Sequence, residues 1–415
     1  MHNLQLISFC VFLFLAWLGI VRLKFFRESG MSVRLLQILL LLKLLTGFFL
    51  GWLTLEYLTI GNDYKSLHDY GLAESQILIN HPSEYIHELF RSSYLAGRGG
   101  WFDSTASYWN DLENNLIIKF LAILNLFTQG NYYSNSIFFN FFSFAGHVAL
   151  YRLFVSLYGK TNEKAILFAS FFIPATLFFS SGIHKDLIIF TCLSLFFYLL
   201  YSMSQQKTSR KRWLFLILTL TLMALIRNYV LIALLPAVSG YLLAQRLKVS
   251  GTVVFTVTFC FFLLLIVSLN RIAPEKSPLS ILAKKRMDFL HAGKANTELP
   301  AFILKPETGS LIKHLPNAFH HAFLRPFPGE GRHPLHKIAG IELTILWLII
   351  TLGIWKLKGN PLLPFEWMMI SFGCIALLFI GYVVPNYGSI IRYRCLYLPV
   401  LIIPFLMRAV RRRIY

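Results

Sequence analysis

The sequence predicts an all-α polytopic membrane protein with about 11 transmembrane helices, and three observations point there. Hydrophobic residues make up 56% of the 415 and charged residues only 14%, with a mean hydropathy of +0.60. That balance leaves too little polar surface for a soluble domain of this length. The apolar residues gather in runs near the ~20 that a helix needs to cross about 30 Å of hydrocarbon. Those runs lack the period-two alternation of barrel strands, so helices are the form that satisfies their backbone in lipid.

In order, the expected spans are 3–23, 35–60, 133–157, 164–181, 184–204, 213–226, 229–245, 250–270, 337–355, 364–384 and 394–410. The first has no basic region before it and is long enough to stay as a helix, so it is not read as a cleavable signal. Leu116 to Phe127 is apolar but short and carries Lys119, which suits a re-entrant or interfacial helix better than a crossing. Trp213 to Ile226 is also short, and Arg212 and Arg227 at its ends could snorkel to the two interfaces. The whole chain, 1–415, reads as a single integral-membrane domain. It carries a large external first loop at 61–132 with juxtamembrane or re-entrant helices, and a second external loop at 271–336.

The net charge of +20 is distributed as a topology signal and not as a nucleic-acid surface. Arg22 to Arg34, Arg152 to Lys164, Lys207 to Arg212, Arg246 with Lys248, Lys356 with Lys358, and Arg408 to Arg413 are six basic regions falling in every second loop. The acids in them are Glu28 and Glu163. Positive-inside placement then puts the N-terminus outside and the C-terminus in the cytoplasm. The five cysteines all lie in apolar segments and read as small core residues.

That topology gathers several polar features on the external side. Asp63 follows the second span, and Asp69 lies six residues on beside His68. Either carboxylate could take a proton from an acceptor hydroxyl, while Asp63 equally suits the N-cap of a helix starting at Tyr64. Glu74, Glu84 and Glu88 read as the solvated face of helices lying on the membrane. His184-Lys185-Asp186 is a dense ionisable triplet at the mouth of a span, marking an interface or a site. Its spacing makes no zinc set. Arg227, Arg325, Arg392 and Arg394 stand where the positive-inside tendency would not put them. They suit a phosphate held by planar guanidinium forks, or anionic headgroups. Trp101, Tyr108, Trp109, Tyr132 and Tyr133 read as an interfacial aromatic belt. Lys43, Glu56, His147, Glu342 and Glu366 lie within spans, mostly toward one end, where snorkelling is cheap.

With Gly61-Asn62-Asp63-Tyr64 after a span, the Ser181-Gly182-Ile183-His184-Lys185-Asp186 hairpin, Arg325-Pro326-Phe327-Pro328 and Arg392-Tyr393-Arg394, the chain resembles the GT-C superfamily of integral-membrane glycosyltransferases. The likeness is to its bacterial protein-mannosyltransferase-like and aminoarabinose-transferase-like branch. Asn62-Asp63 stands where that family has paired acids, and an extra helix precedes its usual first span. The resemblance implies a multi-pass enzyme of a bacterial inner (plasma) membrane, taking a sugar from a polyprenyl-phosphate donor. A glycan or glycolipid such as lipid A or a surface polysaccharide would accept it on the external face. Asp63 or Asp69 would be the catalytic base; His184, Lys185, Asp186, Arg227, Arg325, Arg392 and Arg394 would bind substrate. No cofactor is implied with certainty; a divalent metal is left open, with no residue spacing to support it. An O-antigen-type polymerase or ligase and a non-enzymatic lipid or glycan transporter are the alternatives.

Overall fold

Long runs of Leu, Ile, Phe and Val leave the backbone no polar partner except itself, and they fold as helices. The computed structural model describes residues 2–57, 63–88, 108–160, 162–205, 208–247, 249–291, 297–330, 333–357 and 360–410. Of the side chains, His2 and residues 108–111 lie outside that description. Among the described residues the fold is all-helical, and strand-like pairing is limited to one antiparallel bridge, Glu298 to Asn386.

Eight helices are long and apolar enough to cross a membrane, or up to nine if the bent pair Tyr387–Arg394 and Leu398–Val410 is one span. The chain is a multi-pass membrane protein. Two segments account for the difference between eleven and nine. The expected span 164–181 is broken into Glu163–Leu167, a π-turn at Phe168–Phe172, and Pro174–Phe179. Pro174 has no amide to give and holds Ile173 in an extended conformation (φ −72°, ψ 111°). The expected spans 213–226 and 229–245 are one helical run, Arg210–Arg246, whose backbone leaves helical geometry at Arg227 (φ −149°, ψ 81°).

The chain divides into two compact units: residues 1–159 with 170–228, and residues 160–169 with 229–415. The first contains α1 (His2–Arg22), α2 (Val33–Trp52), α3 (Asp63–Asn80), α4 (Pro82–His87), α5 (Tyr108–Thr128), α6 (Tyr132–Tyr158), α7 (Pro174–Phe179), α8 (Lys185–Gln205) and the first part of α9 (Arg210–Arg246). Its centre is α6, whose buried face carries Ser134, Asn135, Ser136, Asn140, Ser143 and His147 among its apolar residues. Gly146 lets α6 meet α8 closely, since a Cβ there would lie 2.9 Å from the Thr191 backbone.

Around the N-terminal end of α6, Leu67 of α3, Ile117, Ile118, Leu121 and Leu124 of α5, Tyr132 and Phe139 of α6, and Ile183 and Leu187 form one apolar core. Leu116 to Phe127 thus belongs to a 21-residue helix packed on α3.

The second unit contains α10 (Gly251–Ile272), α11 (Pro278–His291), α12 (Thr308–Phe319), α13 (Pro334–Trp355), α14 (Pro364–Val383), α15 (Tyr387–Arg394) and α16 (Leu398–Val410). Here α14 is central, packed against α11, α12 and α16. Glu366 near its start pairs with Arg408, both buried, through bonds of 2.7 and 2.8 Å. Burial and that pairing, and not snorkelling, satisfy the Glu366 carboxylate.

Candidate functional site

The first unit builds a hairpin, Ser180–His184, between α7 and α8. Its turn is anchored from below. Lys43 Nζ donates to the Ser180 carbonyl and hydroxyl, both at 2.6 Å, and Ser143 Oγ donates to the same carbonyl at 2.7 Å. Gly182, at φ +75° where a side chain would strain, donates its amide to Asn140 Oδ1 at 3.3 Å. Ile183 donates to Tyr132 Oη at 3.4 Å. His147 Nδ1 lies 2.5 Å from the Ser170 carbonyl, so Nδ1 carries the proton and Nε2 accepts. That acceptor is 3.3 Å from Lys43 Nζ and 3.1 Å from Ser180 Oγ. Lys43 and His147 were expected to snorkel. Both are instead 1% exposed, because polar atoms of α6 and the hairpin solvate the ammonium inside the bundle.

At the top of the hairpin four charged or titratable groups converge. His184 is fully buried, and its Nδ1 is engaged by Asp186, 2.9 Å from Oδ2 and 3.2 Å from the backbone amide. Asp186 Oδ1 accepts a charge-assisted bond from Arg227 Nη2, and both side chains are buried. Tyr64 stacks on the imidazole at 4.4 Å. The outward ring atom, Nε2, has no hydrogen-bond partner among the described residues and faces Asp63 Oδ2 at 3.8 Å. The Asp63 side chain is 54% exposed.

A separation of 3.8 Å is too long for a direct hydrogen bond. It does admit one oxygen at about 2.8 Å from both atoms. The pair can therefore hold a hydroxyl between a buried imidazole fixed at its far side and an exposed carboxylate.

Asp69 does not join this group. Six residues on from Asp63, it lies about 120° round the helix and is exposed. Its neighbour His68 is buried edge-on against Tyr132, 5.3 Å between centroids. Burial lowers the His68 pKa and the Asp69 charge opposes that. Lys185 pairs with Glu113 of α5 and reaches Asn114 Oδ1 at 3.4 Å, tying α5 to α8.

Two further expectations are corrected. Glu74 is not on a solvated face: it is fully buried in an ion pair with Lys119, whose Nζ also lies 4.6 Å over the Tyr85 ring. The packing of α3 on α5 leaves that carboxylate no water. Tyr132 is core and not belt, at 3% exposure, because its hydroxyl is needed by the hairpin. Gly61, Asn62, Trp101, Lys207, Lys248, Lys358 and Arg411 to Arg413 lie outside the described residues, as do the Tyr108 and Trp109 side chains.

The second unit holds the remaining arginines. Arg325 Nε is 3.4 Å from Glu330 Oε1. Arg394, 3% exposed, donates to the carbonyls of Ala322 and Arg325 at 3.0 and 2.8 Å, so it braces the turn that presents Arg325. Arg392 donates to Tyr393 Oη at 3.1 Å. Sequence reasoning passed over Arg286 and His321, since neither sits in a motif. Arg286 is fully buried, donating to the carbonyls of Phe302 and Tyr382 at 3.0 and 3.2 Å with its guanidinium 3.7 Å over the Phe302 ring.

Among the described residues no three His, Cys, Asp or Glu side chains group as metal ligands. Comparison with protein-family models, with curated proteins and with solved structures gave no match to this chain.

Proposed function

We propose that the protein is a membrane glycosyltransferase of the GT-C kind, moving a sugar from a polyprenyl-phosphate donor to a glycan or glycolipid acceptor. One observation carries this reading: a buried imidazole, held on one side by the Asp186–Arg227 pair, turns its other nitrogen to Asp63 at 3.8 Å. An acceptor hydroxyl placed against both loses its proton to the Asp63 carboxylate as its oxygen attacks the anomeric carbon. The bond from that carbon to the phosphate oxygen breaks, and the leaving phosphate keeps the electron pair. His184 donates or accepts a hydrogen bond at the same oxygen. Asp186 and Arg227 are positioning residues that fix the ring.

In the second unit, Arg325 and Arg392 are the proposed phosphate-binding residues, with Arg394 supporting Arg325. The same proposal carries the eleven-crossing topology in a bacterial inner membrane, with the N-terminus outside and the C-terminus in the cytoplasm. The basic loops support that orientation. The break at Arg227 gives two shorter stretches, 210–226 and 228–246, in keeping with two crossings.

The test uses the full chain in lipid nanodiscs with a polyprenyl-phosphate sugar and a glycolipid acceptor, read by mass spectrometry. Loss of general-base help from Asp63→Asn should slow transfer by about 10²–10⁴-fold, and His184→Gln should act in the same direction. Asp69→Asn should leave the rate unchanged. Full transfer by Asp63→Asn would remove the proposal. Movement of intact lipid across a bilayer without transfer would favour a transporter, and block-length product a polymerase or ligase.

A further inference from the structure

A buried cation needs an anion or a full set of acceptors, because removal from water is costly. In the first unit that demand is met: Arg227 has Asp186 and Lys119 has Glu74. In the second unit Arg286 differs. Two of its nitrogens reach backbone carbonyls, while Nη2 is buried with no hydrogen-bond partner among the described residues. Among the described residues no carboxylate pairs with it; burial lowers its pKa, to about 10, so the guanidinium is charged at neutral pH.

Around the same Phe302 ring lie two histidines. His314 stacks on it at 4.5 Å, and His321 stands 6.1 Å away, with a buried Nδ1 that also has no partner among the described residues. Burial, then Arg286, His320 and Arg325, press the His321 pKa down to about 4. His314 is lowered by desolvation, then by Lys313 and Arg286. Two buried donors without hydrogen-bond partners among the described residues, with the Arg286 and Arg325 charges acting on His321, make surroundings that an oxyanion would relieve. Glu330 is the nearby carboxylate on Arg325, and its Oε2 is already committed to the Phe327 amide at 2.8 Å.

We infer that the second unit contains an oxyanion site, with Arg286 as its floor and His321 and Arg325 beside it, which takes a phosphate group. Arg286 and His321 have no part in the transfer proposed above. At Arg325 the inference deepens that reading, and it stands whether or not proton transfer occurs at His184. Nη2 of Arg286 and Nε of Arg325 supply donors, and His321 donates from Nδ1 in the tautomer an anion selects. The phosphate could belong to a lipid headgroup or be free in solution.

The experiment titrates the full chain in phosphatidylcholine nanodiscs with inorganic phosphate and with pyrophosphate, and separately adds a polyprenyl phosphate to the disc. Affinity and thermal midpoint are read in each arm. Binding of the free anions assigns a soluble phosphate, and binding of the lipid alone assigns a headgroup; either supports the site. Arg325→Gln should weaken binding about tenfold, as loss of a charge-assisted pair does, and Glu330→Gln should tighten it by freeing Arg325. Arg286→Gln should abolish it, and if that variant does not fold, the Arg325 and Glu330 variants decide. Saturable binding in neither arm, or affinity unchanged by Arg325→Gln and Glu330→Gln, overturns the inference. Binding with no sugar transfer would instead leave the site in place and end the transferase reading.

Discussion

The two units handle buried charge in opposite ways. In the first, three cations meet carboxylates, Arg227 with Asp186, Lys119 with Glu74 and Lys185 with Glu113, and Lys43 under the hairpin is the exception. In the second, Arg286 and Arg394 meet backbone carbonyls, and Glu366–Arg408 is the buried exception. A cation–carboxylate pair is closed and neutral, and holds its members in one geometry. A guanidinium bonded to carbonyls is equally fixed but keeps its charge, and its surroundings stay electropositive. The first arrangement suits a site that moves a proton between neighbours; the second suits one that receives an anion.

The contrast is sharpest when one partner is removed. Arg227→Met strands the Asp186 carboxylate in the bundle, and breaking a buried pair costs about 3–5 kcal/mol. Thermal and denaturant unfolding in nanodiscs should show that loss, and Asp186→Asn added to Arg227→Met should recover much of it. Arg394→Met strands the carbonyls of Ala322 and Arg325 and takes a charge from Glu342, which is not bonded to it as Asp186 is to Arg227, and should cost about 1–3 kcal/mol in the same assay. Equal losses in the two variants would erase the distinction between the units.

Acidification tests the second unit from another side. Burial holds His321 neutral, so its folded pKa of about 4 lies below the ordinary 6.5. The unfolded chain therefore binds the proton first as pH falls. Stability is complete above about 6.5 and declines toward 4, by at most about 1.4 kcal/mol for each pH unit. Comparing thermal midpoints at pH 7 and pH 5 checks this, and His321→Gln should remove its share of the decline. The smallest effect belongs to Asp69→Asn, an exposed position outside both clusters. A shift beyond about 0.5 kcal/mol there would mean that it has a structural partner after all.

Much of the frame was legible in the sequence. The helices at 2–22, 132–158, 185–205, 251–272, 334–355 and 364–383 start and end within a few residues of the apolar runs that announced them. Hydropathy is local, and a long enough run has no other way to satisfy its backbone in lipid. The segment 164–181 escaped because the apolar count carried through Pro174, where the helix could not. The His184-Lys185-Asp186 triplet stood out for its density of ionisable groups at a span mouth, and two of its members do face the Asp63 and Arg227 side chains.

What the chain determined alone is the set of apolar helices, the basic loops and the residue types available at each end. Partner choice was decided by the tertiary structure: Asp63 over Asp69 for His184, Glu74 with Lys119 across 45 positions, Lys43 sealed under the hairpin, and Arg286 buried against Phe302. The reason is physical. Whether a carboxylate meets water or a lysine depends on which helix faces close over it, and that closure is absent from any short stretch of sequence.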